Sequence, residues 1–183
     1  MSLNLQFSVF SDDGSEAVLE DQLTEGWSLL VFLRHSDCIE CQLITHELNA
    51  ILDALKQWSV SLTLVANCSW EDLKPLRDTL QLQPAIQLLT EPSLQVHQAV
   101  GLQNHIMGGF GPKALWNILK GTQKGFHQKL SLGENMGQQS GLFLLRPNRE
   151  LVWSHRSNHL GDIPSQATIL EAVLAHRALD GVQ

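Results

Sequence analysis

The 183-residue chain is short of cysteine, of basic residues and of long apolar runs, and each shortage removes a class of protein. Three cysteines is an odd count and too few for a disulfide framework, which excludes the small secreted scaffolds held by such bridges. No window approaches the roughly 18 to 20 apolar residues that a membrane span requires. The opening MSLNLQFSVFSDDGSE lacks the basic stretch and apolar core of a leader segment. A soluble, unprocessed, cytoplasmic protein is therefore expected. Lysine and arginine together number 12 against 19 aspartates and glutamates, giving a formal net charge of −7 and a pI near 5.5. Such a surface repels phosphate backbones and anionic lipid faces, so neither nucleic acid nor a membrane is an expected partner.

With 43% hydrophobic and 17% charged residues, the chain suits a single compact domain over residues 1–183. WSLLVFL, Trp27 to Leu33, is an almost continuous apolar run, as in a strand covered on both faces. From Cys41 the pattern changes: Cys41, Ile44, Leu48, Ile51, Leu55 and Trp58 recur at spacings of three and four, the stripe of an amphipathic helix. SVSLTLVANC, residues 59–68, then reads as a second strand, so the three elements make a parallel crossover, the nucleus of an α/β sheet. SWEDLKPLRDTL predicts a helix capped at Ser69 or Asp72, and AIQLLT, residues 85–90, a third strand. A short helix follows, started through Pro92 and ended by Gly101. SGLFLLRPNRELVWSHR predicts a hairpin about a Pro-Asn turn. The last helix has Pro164 near its first turn and Ile169, Leu170, Val173 and Leu174 on one side. Residues 102–140 form a Gly-rich insertion containing one amphipathic stretch, PKALWNILKGTQKGF, with Lys113, Lys120 and Lys124.

Two of the three cysteines stand three residues apart, between the first strand and the first helix, in LLVFLRHSDCIEC. Cys38 falls at the edge of the helix and Cys41 one turn in, close enough to close a small disulfide ring. Unpaired N–H groups at a helix start favour an anion, so a thiol there can fall from about 8.5 into the ~3.5–7.5 range. Cys41 lies on the apolar stripe, which leaves Cys38 as the attacking thiolate and Cys41 as the sulfur that resolves its product. Asp37 and Glu40 oppose a second anion, whereas Arg34 and a protonated His35 favour it. Zinc is the rival use of the pair: His35, Cys38, Cys41 and His46 supply four donors, but a structural zinc site draws two ligands from a separate segment, and there is no second C-x-x-C. Cys68 reads as a small buried hydrophobe. His155 and His159 read as solvent-facing or bonded to backbone. GGFGPK, residues 108–113, lacks the preceding strand and Lys-Ser/Thr ending of a phosphate loop.

LLVFLRHSDCIEC, LQPAIQLLTEPSLQVHQAVGL and GLFLLRPNRELVWSHRSNHLGDIP, in that order, resemble the thioredoxin-like superfamily, and within it the peroxiredoxin-like (AhpC/TSA-type antioxidant) group that carries a C-x-x-C. The likeness runs from about Leu23 to Leu179. It implies a thioredoxin-like α/β fold, a central mixed sheet flanked by helices with a helical insertion before the C-terminal hairpin. The implied activity is thiol-dependent reduction of peroxides or related oxidised substrates. Typical members place a proline seven residues, and a threonine or serine three residues, before the reactive cysteine; those positions hold Val31 and His35. Where such members use an arginine near the late strand, Gln138, Gln139 and Ser140 stand. Thioredoxins proper carry a proline just before that strand, and Ser140-Gly141 has none, which favours the peroxiredoxin-like side. Some relatives reduce lipid endoperoxides, so Leu115, Trp116, Ile118 and Leu119 either line an apolar groove or, the favoured reading, bury their face against the core.

The reading is a thiol-dependent oxidoreductase acting on a small peroxide or disulfide through Cys38 and Cys41, with Arg34 and His35 tuning the thiolate or donating a proton. Thioredoxin or glutathione is the expected reductant, and no metal, flavin or nucleotide cofactor is implied. The alternative is a non-catalytic thioredoxin-fold module that binds a partner protein.

Overall fold

The computed structural model describes residues 2–34, 39–103, 138–158 and 162–180, with residues 116, 119, 122 and 123. The described strands are β1 (Ser8–Phe10), β2 (Glu16–Val18), β3 (Trp27–Phe32), β4 (Val60–Ala66), β5 (Gln87–Thr90), β6 (Gly141–Leu145) and β7 (Leu151–Arg156). Between and after them lie α1 (Ile39–Ala50), α2 (Leu52–Gln57), α3 (Leu73–Leu80), α4 (Gln95–Ala99) and α5 (Gln166–Asp180). They form one sheet of order β2-β1-β5-β4-β3-β6-β7. β3, β4 and β5 run parallel, and the remaining pairs are antiparallel, so the sheet is mixed and thioredoxin-like as expected.

All six residues of β3 are buried, because β4 pairs it on one side, β6 on the other, and both faces are covered. The period-two alternation of a strand sorts its side chains. Leu29, Val31 and Leu33 enter a core with Leu62 and Leu64 of β4, Leu142 and Leu144 of β6, Leu48 of α1, Leu55 of α2 and Val173 of α5. Leu30 and Phe32 enter the opposite core with Val65, Phe143, Val96 and the N-terminal Leu5, Val9 and Leu19. Each fully buried aliphatic or aromatic side chain contributes about 1.5–3 kcal/mol. Two of the polar side chains in this interior are matched to others: Ser28 accepts from Ser61 at 3.1 Å, and Thr63 donates to Gln87 at 3.2 Å.

Several sequence expectations shift. The helix expected from Cys41 to Trp58 is interrupted at Ile51 (φ −99°, ψ 5°), yet Cys41, Ile44, Leu48, Ile51 and Leu55 remain buried across the break. Trp58 leaves the stripe and is 40% exposed, since the chain reverses there through Ser59 (φ 55°) to enter β4. Neither Ser69 nor Asp72 caps α3 with its side chain; Ser69 bonds the Asp72 carboxylate instead, across a single 3-10 turn. Pro75 is the third residue of α3, where a missing N–H costs no helical bond. The strand expected from residue 85 starts at Gln87, and α4 starts at Gln95, after a turn through Pro92 and Leu94. Gly101 does close α4: at φ +81° it lets the Leu102 N–H reach back to the His97 carbonyl at 2.8 Å. In α5, capped by the Ser165 hydroxyl, Ile169 and Val173 are buried while Leu174 faces solvent. Trp116 and Leu119 are helical and exposed, so at these two positions the expected burial against the core fails. Lys113, Leu115, Ile118, Lys120, Lys124 and the GGFGPK stretch lie outside the described residues.

A buried ionisable pair lies under the sheet. Glu91, 2% exposed, follows β5, and His97, fully buried, is in α4; Nδ1 of the ring faces Glu91 Oε2 at 3.7 Å. Burial pushes the Glu91 carboxyl up, but the His97 ring, the Ser93 hydroxyl and the Val96 N–H outweigh it and hold the group below the usual glutamate range.

Two consequences are measurable. A Cβ on Gly141 would stand 2.8 Å from Leu102 Cδ2, 2.9 Å from Phe143 and 3.3 Å from the His155 carbonyl. Gly141→Ala should therefore cost about 1–3 kcal/mol and lower Tm by several degrees, read by thermal unfolding. Glu91 favours the folded state when ionised, so its contribution is present above the ordinary glutamate value of about 4.3 and is lost as pH falls through the lowered one. Glu91→Gln should cost about 1–3 kcal/mol at neutral pH, and denaturant unfolding should show its deficit shrinking as the solution is acidified through that range.

Candidate functional site

The chain leaves β3 at Phe32 and reaches α1 at Ile39, and the two described residues beyond the strand are tied on several sides. The Leu33 side chain is buried in the α1 core, and its N–H extends the parallel ladder to the Val65 carbonyl at 2.8 Å. Its carbonyl lies 3.2 Å from His97 Nε2. Arg34 is 8% exposed, unusual for a guanidinium, and its Nε donates to the Gln138 carbonyl at 2.9 Å. Gln138, 2% exposed, stands three residues before β6, so Arg34 joins the strand end to the segment leading into the hairpin.

Cys41 is the third residue of α1, in its first turn, and is 5% exposed. Its Sγ accepts the backbone N–H of Arg34 at 3.3 Å. Thr45, one turn on, donates its hydroxyl to the Cys41 carbonyl at 2.6 Å, which pins the turn that carries the sulfur. A backbone N–H directed at a buried sulfur stabilises that sulfur as an anion, because the bond strengthens when the acceptor is charged. The structure thus brings Arg34 and Cys41 together through the Arg34 main chain, while the guanidinium turns to Gln138. Cys38 and His35 lie outside the described residues.

Other sequence candidates separate from this centre. Cys68 is 7% exposed beyond β4; its N–H bonds Thr90 Oγ1 at 3.3 Å, and the same hydroxyl donates to the Cys68 carbonyl at 2.6 Å, an arrangement that suits the small buried hydrophobe expected of it. His46 is half-buried on α1, and among the described residues no three His, Cys, Asp or Glu side chains converge to hold a metal. His155 meets the Asp162 carbonyl at 3.0 Å, the backbone bond expected of it, and His159 lies outside the described residues. His155 borders a cavity of about 900 Å3 beside α1, whose walls include Leu43, Ile44, Glu47, Asp162 and Gln166. Sequence reasoning missed Glu91 and His97, and it noted Gln138 only as standing where relatives use an arginine: a short helix and an insertion boundary give no periodic signal, and the contacts of His97 and Gln138 with the β3 end span 64 and 104 residues.

The sequence pattern of the family described as AhpC/TSA antioxidant enzyme matches residues 47–159, more than half of the chain, beginning after the Cys41 turn. No curated protein matches the chain. Among solved structures it is similar to the Xanthomonas campestris bacterioferritin comigratory protein, described for its alkyl peroxide reduction activity (TM-score 0.64, 14% identity, 98% of this chain and 97% of that one). It is similar also to the peroxidoxin BcpB of Mycobacterium tuberculosis (TM-score 0.66, 13% identity, 97% of each chain). A Xylella fastidiosa PrxQ variant aligns with TM-score 0.67 at 14% identity, over 98% of this chain and 95% of that one. At these identities the likeness speaks for the fold, and it agrees with the mixed sheet described above. The family pattern carries the rest: this chain belongs to the AhpC/TSA antioxidant enzyme family and is an enzyme of the peroxiredoxin type.

Proposed function

We propose that the chain reduces a peroxide through Cys38, with Cys41 as the resolving partner, and that a dithiol or thiol donor such as thioredoxin or glutathione returns the pair to the reduced state. In the first step the Cys38 thiolate attacks a peroxide oxygen, the O–O bond breaks, and the alkoxide leaves as an alcohol after taking a proton. Cys38 is oxidised to the sulfenic acid. The Cys41 sulfur then attacks Cys38 Sγ, water departs, and a disulfide remains. Two external thiols reopen it and carry away the oxidation as their own disulfide. The observation that carries this reading is Cys41 itself, held in the first turn of α1, buried, and aimed by its Sγ at a backbone N–H. A buried sulfur with a donor at 3.3 Å suits the resolving and leaving role, where an anion must form briefly away from water.

Arg34 and His35 are assigned supporting parts. Arg34 brings a permanent positive charge to the residues just before the pair and favours a thiolate at Cys38; His35, three residues before Cys38 in the sequence, is assigned the proton that the departing alkoxide takes. A small disulfide is the second substrate class that the same exchange chemistry accommodates. Family membership speaks against a purely binding role.

The test is a coupled assay with thioredoxin, its reductase and an organic hydroperoxide. Cys38→Ser should fall to background, while Cys41→Ser should still consume one equivalent of peroxide and then stop. Mass spectrometry of the wild type after mild peroxide should show a product lighter by two hydrogens, with a peptide linking residues 38 and 41. Equal turnover by all three proteins, or none with unreactive thiols, would sink the reading. Arg34→Gln should raise the pH midpoint of Cys38 alkylation by about one unit, an effect an uninvolved arginine would not produce.

A further inference from the structure

The Leu33 carbonyl and the Arg34 N–H belong to one peptide group. In a trans peptide they point in opposite directions along one conjugated unit. On one side the carbonyl meets His97 Nε2 at 3.2 Å; on the other the N–H meets Cys41 Sγ at 3.3 Å. A carbonyl oxygen only accepts, so Nε2 carries the hydrogen and donates. Behind the ring, Nδ1 faces Glu91 Oε2 at 3.7 Å, too long for a hydrogen bond, and the carboxylate is held by the Val96 N–H at 3.2 Å and by the Ser93 hydroxyl. Glu91, His97, the peptide and Cys41 therefore stand in one line, hydrogen-bonded from the ring to the sulfur and in close approach without a hydrogen bond between the ring and the carboxylate; 2% of Glu91, none of His97, 1% of Leu33, 8% of Arg34 and 5% of Cys41 is exposed.

We propose that Glu91 and His97 act on Cys41 through the Leu33–Arg34 peptide group, polarising it so that the Arg34 N–H becomes a stronger donor to the sulfur. His97 touches neither substrate nor sulfur; it is a positioning residue, and Glu91 orients it. The physical basis is cooperativity: a donor on a carbonyl withdraws electron density from the amide, and bonds in such a chain strengthen one another most where water is absent. The Phe32 ring packs edge-on against the His97 ring, with centroids 5.0 Å apart, which keeps the imidazole in line with the carbonyl. Among the described residues, Glu91 lies at one end of the line and the Arg34 guanidinium beside the other, its Nε on the Gln138 carbonyl. The consequence rests on the proposed redox use of the pair and falls on its reductive half. When a thiol attacks Cys38 Sγ of the disulfide, the S–S bond breaks and its electron pair leaves on Cys41; a stronger donor there makes Cys41 the better leaving group. The peroxide step at Cys38 does not pass through this line.

The experiment compares His97→Leu, which removes the donor, with His97→Gln, whose Nε2–H stands where the imidazole N–H does. In a Cys38→Ser, Cys68→Ser background Cys41 is the sole thiol, and ultraviolet thiolate absorbance gives its titration. His97→Leu should raise the midpoint by about one pH unit. With the pair intact, it should shift the thiol-disulfide equilibrium about tenfold, making the potential about 30 mV more negative, and should slow reopening by dithiothreitol. His97→Gln should recover most of both effects, and Glu91→Gln should fall between. If His97→Leu does not fold, Glu91→Gln against wild type still decides the matter, with His97→Gln as the near-wild-type control. Identical Cys41 midpoints and potentials in every folded variant would overturn the proposal, as would slowing of single-turnover peroxide oxidation alone. Both readouts are independent of peroxide turnover, so an inactive wild type would refute the proposed function while leaving this test readable.

Discussion

The peptide group between Leu33 and Arg34 is the point on which the architecture converges. It sits where a strand buried on both faces stops, and both of its polar atoms meet buried side chains. The Leu33 N–H still extends the sheet ladder to the Val65 carbonyl, while the carbonyl of the same residue and the next N–H turn to side chains. A helix from each side of the sheet supplies what the ladder no longer does: α4 provides a ring N–H and α1 a sulfur. Each bond is worth about 1 kcal/mol net, but an unmade one in this interior costs about 1–3 kcal/mol. The arrangement is held less by what its bonds contribute than by the penalty for losing any of them.

The two faces of β3 explain why both helices can reach that point. Leu29, Val31 and Leu33 commit one face to the core under α1, α2 and α5, while Leu30 and Phe32 commit the other to the core that includes Val96 and Val100 around α4. A register slip of one residue would exchange the two sets and destroy both cores. The same register that buries the aliphatic side chains therefore also sets which way the last carbonyl and the following N–H point. Packing and site geometry are here one constraint.

How much of this the sequence displays depends on whether a feature has a period. The crossover of β3, α1 and β4, the β6–β7 hairpin and the buried side of α5 are legible, because apolar residues repeat at two or at three and four. The N-terminal strands β1 and β2, three residues each at the sheet edge, are too short to show alternation. Trp58 and Leu174 continue an apolar spacing past the point where the protein needs it; chain reversal at Ser59 exposes the first, and the second faces outward from α5. Cys41 was legible as a buried sulfur because it lies on the α1 stripe. His97 was not: a single histidine in a five-residue helix carries no signal of the carbonyl 64 residues earlier that it meets, and only the parallel order β5-β4-β3 brings the two together.

The departures from the usual peroxiredoxin pattern acquire a reason in this geometry. Val31, seven residues before Cys38, is 1% exposed inside β3 and pairs with Leu64 on one side and Leu142 on the other. A proline there would remove a ladder N–H from a strand bonded on both edges and would not be tolerated. The strand thus runs further toward the cysteines than a proline at that position would allow, and its extension delivers the Leu33–Arg34 peptide to Cys41. Where typical relatives place a hydroxyl side chain three residues before the reactive cysteine, this chain has His35, and a donor to the described sulfur comes from the main chain. A main-chain donor has no rotamers to freeze and its direction is set by the sheet, so the group at the other end of the same peptide, the His97 ring, is a direct route to altering its strength. That places control of the site in α4, on the far face of the sheet from the helix that carries the sulfur.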